Sequence, residues 1–141
     1  MSAYWDTSAI INAVVSPKVS ARLNTGEHYT RLHSFSEFFA IMTTRGIQAK
    51  DQDGALNRVV LSQKSAATWL RKFSGRVKLV ELNLEETLAA FDEAAAKSVQ
   101  GGKVYDFGHA LAADKAGSAH LLTRNAKHFD GLTQNAKVEW P

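Results

Sequence analysis

Short β-prone runs alternate with helical stretches along this chain, and that alternation restricts its fold more than any other feature. The runs at 3–5 (AYW), 29–33 (YTRLH), 77–82 (VKLVEL), 119–123 (AHLLT) and 137–140 (KVEW) read as strands. Helices are expected between them. One covers 8–15, with Ser8 as N-cap and Ser16 and Pro17 as its break, and a shorter piece covers 18–24. The next spans 34–45, stopped by Gly46. Apolar residues at 56, 59, 60, 66, 67, 70 and 73 predict helix over 53–73, in one or two pieces. An Ala-rich helix is expected over 85–99, and a last one over 106–116 with Gly117 closing it. Strands separated by helices pair in parallel and need helices on both sheet faces. The expectation is one α/β domain over 1–141, a three-layer α/β/α sandwich around a mostly parallel sheet of four or five strands.

Composition narrows the function classes. The 141 residues suffice for a real core, and 45% hydrophobic with 22% charged residues separates the chain from disordered sequences. With no cysteine, disulfides and thiolate zinc sites are excluded. No window approaches membrane-spanning length and no basic leader opens the chain, so a cytoplasmic location is expected. A net charge of +3 permits a polyanionic partner without demanding one.

The acids carry the chemical argument. In open parallel sheets, sites form outside the carboxyl ends of the strands. Asp6 follows the first strand, Glu37 the second, and Thr123 and Asn125 the strand HLLT. Asp106 opens the helix leading into that strand, so topology places all of these on one sheet edge. Three carboxylates converging from separate elements repel one another unless a cation neutralises them, and an all-oxygen set suits Mg²⁺ or Mn²⁺. Such ions activate water and stabilise charge on a phosphoryl group, which implies phosphodiester hydrolysis.

Each acid also has a local reading. Ser34 and Glu37 fit the S-x-x-E pattern of a capping box, Asp106 suits the positive end of its helix, and Asp6 can cap the helix beside it. Glu37 lies away from the stripe of Phe35, Phe38, Phe39 and Met42, which fits solvent or a cleft equally well.

The segments YWDTSAIINA, SFSEFFAIMTTRG, VYDFGHALAADKAG and HLLTRNAKHF resemble, in order and spacing, the blocks of the PIN domain. The closest likeness is to the VapC-type ribonuclease toxins of prokaryotic toxin–antitoxin pairs. The resemblance implies a PIN-like fold in which Asp6, Glu37 and Asp106 hold one or two Mg²⁺ or Mn²⁺ ions. It implies endonucleolytic cleavage of structured RNA, often tRNA or rRNA, by a homodimer that a cognate antitoxin silences. Where many relatives carry a fourth acid, this chain has Asn125 and His128. Asn125 can supply a neutral oxygen to the site or cap the turn at 126–129. The departure leaves a catalytically weakened PIN-like domain, binding RNA or protein without cutting, as the alternative. Receiver domains and haloacid-dehalogenase-like phosphatases also carry a strand-end Asp, but the acidic pair of the first and the D-x-D of the second are missing around Asp6.

Secondary expectations concern the surroundings. Arg45, Lys103, Arg124 and Lys127 fall near the acids and could hold RNA phosphates. His109, one turn beyond Asp106, could contact RNA or serve packing, and Asp114 reads as solvated. Trp5, Trp69 and Trp140 read as core or interface residues.

Overall fold

The protein is described by a computed structural model covering residues 1–141. In chain order the elements are β1 (Ser2–Trp5), α1 (Thr7–Val15), α2 (Pro17–Ala21), β2 (Glu27–Thr30), α3 (Leu32–Met42), β3 (Ile47–Lys50), β4 (Leu56–Val59), α4 (Gln63–Ser74), β5 (Lys78–Leu79), α5 (Leu84–Glu93), α6 (Lys103–Lys115), β6 (His120–Leu122) and β7 (Lys137–Glu139). Single 3-10 turns lie at Arg22–Asn24 and Ala126–Phe129.

Five strands form one sheet in the order β5-β2-β1-β6-β7, and every neighbouring pair is parallel. The central strand β1 is apolar on both faces. Ala3 and Trp5, with Leu122 of β6, enter a core built with α1, α3 and α4. Tyr4 and Leu121 point the other way, into a second core with Phe107, Ala110 and Ala113 of α6. Helices therefore cover both faces, compatible with a three-layer sandwich. Burying side chains the size of Trp5 or Phe38 stabilises such cores by about 1.5–3 kcal/mol each. No helix is long and apolar enough to cross a membrane.

Several local expectations are corrected. The second strand covers Glu27–Thr30 rather than 29–33, and α3 begins at Leu32. The Thr30 hydroxyl donates to the Trp5 carbonyl (2.8 Å) and lies 3.0 Å from Ser34 Oγ, which draws Ser34 into the buried side of the helix. Arg31, not Ser34, is the N-cap, so the Ser34–Glu37 capping box does not form. The helix expected from 53 begins only at Gln63. Residues 47–59 form the antiparallel hairpin β3–β4 instead. Turn chemistry overrides helical spacing there: the Asp51 carboxylate accepts from the Asp53 and Ala55 N–H groups and the Asn57 amide, and Gly54 takes φ +79°. α5 is shorter than expected and carries the one capping box, from Asn83 to Glu86. α6 starts at Lys103, before Asp106. Asp114 is not merely solvated: it accepts the N–H groups of Gln134, Asn135 and Ala136 and so ties α6 to the entry of β7.

Candidate functional site

The site begins with the backbone at the end of β1. The Asp6 N–H donates to the Leu122 carbonyl of β6 (3.2 Å), continuing the parallel pairing by one residue. The chain then turns into α1, and Asp6 Oδ1 accepts from Ala9 N (2.8 Å) and Ser8 Oγ (2.7 Å). Asp6, rather than Ser8, is thus the N-cap. Ser8 takes a different part, linking α1 to the end of β6: its hydroxyl is 3.3 Å from Thr123 Oγ1 and accepts the Arg124 N–H (2.9 Å).

Asp6 is almost fully buried, and that burial pushes its carboxyl up from 3.8 to about 6. The Thr123 and Ser8 hydroxyls and the Ala9 N–H work against this rise, and the Asp106 charge adds to it. Asp106, in the first turn of α6, is also raised, mainly by partial burial. His128, whose Nδ1 lies 3.6 Å from Asp106 Oδ2, pulls it down, Glu37 raises it and Lys103 lowers it. Asp106 is thus linked to each of the other acids: its charge raises Asp6, and Glu37 raises it in turn. Glu37 projects from the second turn of α3, where His33 Nε2 meets its Oε2 at 2.8 Å. The His33 ring is stacked on Tyr105 of α6, with centroids 5.0 Å apart and planes 13° from parallel.

Asp6, Glu37 and Asp106 line one open cleft of about 440 Å³ at the carboxyl edge of the sheet. Asn125, Arg45, Arg124 and His109 share its walls. Asn125 sits at the start of the 3-10 turn without a side-chain capping bond, so the capping role is not the one it plays. Lys103 and Lys127 do not line the cleft: Lys103 stands at the start of α6 and Lys127 is exposed on the 3-10 turn. His109 is buried, and its Nδ1 lies 2.8 Å from the Tyr4 hydroxyl. Burial, together with the charges of Arg31 and His33, holds the imidazole well below its ordinary range, so it is neutral.

One contributor escaped the sequence reading, Tyr105, and two others, Thr7 and Trp140, take places that it left open. Tyr105 flanks the acids, Thr7 lines the wall, and Trp140 is exposed at the cleft with the Arg124 guanidinium 5.3 Å from its ring centroid. Trp140 thus stands at the cleft rim rather than in the core. Tyr105 adjoins Asp106 in the chain, which was the only signal it offered, whereas the Thr7 hydroxyl beside Asp6 reads from sequence as either a site group or part of a local turn.

The donor set matches a hard divalent cation in type: three carboxylates with a neutral amide oxygen nearby. Asp6 and Asp106 are both raised by burial and by the charge of a neighbouring acid, which a cation relieves. Thr7 Oγ1, buried at the same wall, lacks a hydrogen-bond partner. The acids are not pre-assembled as a ligand set of three. Each is engaged by a neighbour instead: Asp6 by Ser8 and Ala9, Glu37 by His33, Asp106 by His128. No protein-family model matches the chain, and no curated protein matches it either.

Proposed function

We propose that the chain is a PIN-like endoribonuclease of the VapC toxin type, dependent on Mg²⁺ or Mn²⁺. The observation that carries this reading is the meeting of Asp6, Glu37 and Asp106, far apart in sequence, in one cleft at the sheet edge. Asp6, Asp106 and Glu37 would hold the ion, which supplies Lewis-acid polarisation of a phosphoryl oxygen and lowers the pKa of water.

The chain's own residues supply position and charge balance. Asp6 is fixed by its capping bonds, so its carboxylate is pre-oriented rather than ordered on binding. Arg45 and Arg124 stand on the cleft walls, where guanidinium groups can hold phosphates on either side of a cut. Asn125 offers an amide oxygen or donor without adding to the repulsion among the acids. A homodimer, a cognate antitoxin and a cytoplasmic setting complete the proposal.

The deciding experiment is cleavage of tRNA and rRNA with Mg²⁺ or Mn²⁺, with EDTA, and by Asp6→Asn and Asp106→Asn. Cleavage that needs the ion and falls about 100-fold or more in either variant is expected. Equal cleavage by wild type and Asp6→Asn would overturn the reading.

A second reading has its own observation. With no acid at 125 or 128 and no pre-assembled ligand set, the chain would be a weakened PIN-like domain that binds RNA or protein without cutting. Absence of Mn²⁺ or Mg²⁺ binding at millimolar concentration would favour it.

A further inference from the structure

The chain's positive charge is not spread evenly. Between residues 54 and 80 there are six Lys and Arg and no Asp or Glu, whereas the other eleven basic residues face all 14 acids. The excess that makes the protein basic therefore resides in this segment, and three of the six, Lys64, Arg71 and Lys72, lie on α4. Ala66, Leu70 and Phe73 turn one face of α4 into the core. Lys64, Thr68 and Arg71 follow on the opposite face at helical spacing, with Lys72 beside them, all exposed. Lys78 pairs with Glu27, Arg58 with the Arg45 carbonyl and Arg76 with the Asn24 amide oxygen. Lys64, Arg71 and Lys72 make no ion pair. The helix dipole favours Arg71 and Lys72 in the last turn of α4, and with Lys64 in the first turn the face turns three unpaired positive charges to solvent, a field that attracts polyanions.

Two adjoining grooves of about 290 and 200 Å³ run along this face and share Trp69 and Lys72. The first adds Lys64, Ser65 and Thr68, and the second, on the flank toward α2, adds Ser20, Asn24 and Arg76 over an apolar base of Leu23 and Phe73. Hydroxyl, amide and cationic donors without an acid are the groups that contact phosphate oxygens. The surface offers little to a protein partner, since α4 has no large apolar side chain exposed. The Trp69 ring is already stacked on Phe38 (5.0 Å) and Phe73 (5.4 Å), which leaves backbone rather than base recognition. The Leu61 N–H bonds the Met42 carbonyl (2.7 Å), placing the start of α4 beside the end of α3 and hence near Arg45 of the cleft. From there the helix extends about 18 Å away.

We propose that the outer face of α4 is a second binding surface, distinct from the acidic cleft, which holds the phosphate backbone of RNA irrespective of sequence. The choice of RNA over DNA rests on the ribonuclease reading above; the phosphate chemistry does not.

The test is fluorescence anisotropy of a labelled single-stranded RNA of about 20 nucleotides, in EDTA, across a salt series. Wild type is compared with Lys64→Gln/Arg71→Gln/Lys72→Gln, which keeps helix-forming side chains. Affinity is expected to fall at least about tenfold, and the slope of log K against log salt to flatten by about 2, near 0.7 per lost phosphate contact. Unchanged affinity and slope would overturn the proposal, as would competition by poly-glutamate as strong as by unlabelled RNA. If the triple variant melts early, Lys72→Gln alone decides, with an expected flattening of about 0.7. Because binding is read without catalysis, loss of cleavage in Asp6→Asn with α4 binding intact separates this surface from the nuclease reading.

Discussion

His33 Nε2 lies 2.8 Å from Glu37 Oε2, one helical turn away on α3, and the same imidazole is stacked on Tyr105 of α6. The helix that carries the second acid is thus coupled to the helix that carries the third. His33 does not line the cleft, so in the proposed nuclease it would act as a positioning residue for Glu37. Removing it in His33→Ala is expected to lower activity and metal affinity about tenfold. His33→Gln, which keeps a donor at similar reach, should recover much of both. Isothermal titration with Mn²⁺ beside the cleavage assay separates this from a purely structural effect; an unchanged Mn²⁺ affinity in His33→Ala would refute it.

Asp6 sets a pH dependence of stability. Its folded pKa, about 6, exceeds its ordinary value of 3.8, so the fold favours the protonated form. That contribution is fully present below pH 4 and is lost as pH rises through about 6; two units correspond to about 3 kcal/mol. Asp6→Asn, a neutral cap of equal quality, should melt several degrees above wild type at pH 7 in EDTA and close to it at pH 4. Thermal melts at the two pH values check this. A variant destabilised equally at both would contradict it.

The buried pair Tyr4 and His109 backs one wall of the cleft. Tyr4→Phe leaves His109 Nδ1 without its 2.8 Å partner in a dry environment. A loss of about 1–3 kcal/mol in urea unfolding is expected. A neutral outcome would mean that water or another donor reaches His109.

Gly46 fixes the base of the β3–β4 hairpin at the cleft wall. It has φ +62°, and a Cβ there would stand 2.0 Å from the Val59 carbonyl oxygen. Gly46→Ala combines left-handed strain of about 1–2 kcal/mol with a backbone collision, so a destabilisation of at least 2 kcal/mol is expected. Urea midpoints measure it, and a stable alanine variant would show that the hairpin can shift as a unit.

What the sequence determined by itself follows from local physics. The apolar runs around 3–5 and 120–122, set among helical stretches, specify a parallel sheet covered on both faces, and the residues after the strand ends specify which edge bears the acids. The same local rules misplaced Ser34 and the hairpin. Glu37 fits a capping box until Thr30 of the neighbouring strand takes Ser34 into the core. The spacing of Leu56 and Val59 reads as helix until Asp51 closes the turn that sets residues 47–59 in a hairpin. Only the tertiary structure decided that Trp140 meets Arg124, that His33 holds Glu37 against Tyr105, and that Asp114 anchors residues 134–136. Periodicity records which face of an element is buried. The partner a polar side chain finds across the fold depends on how elements pack, which no window of neighbouring residues contains.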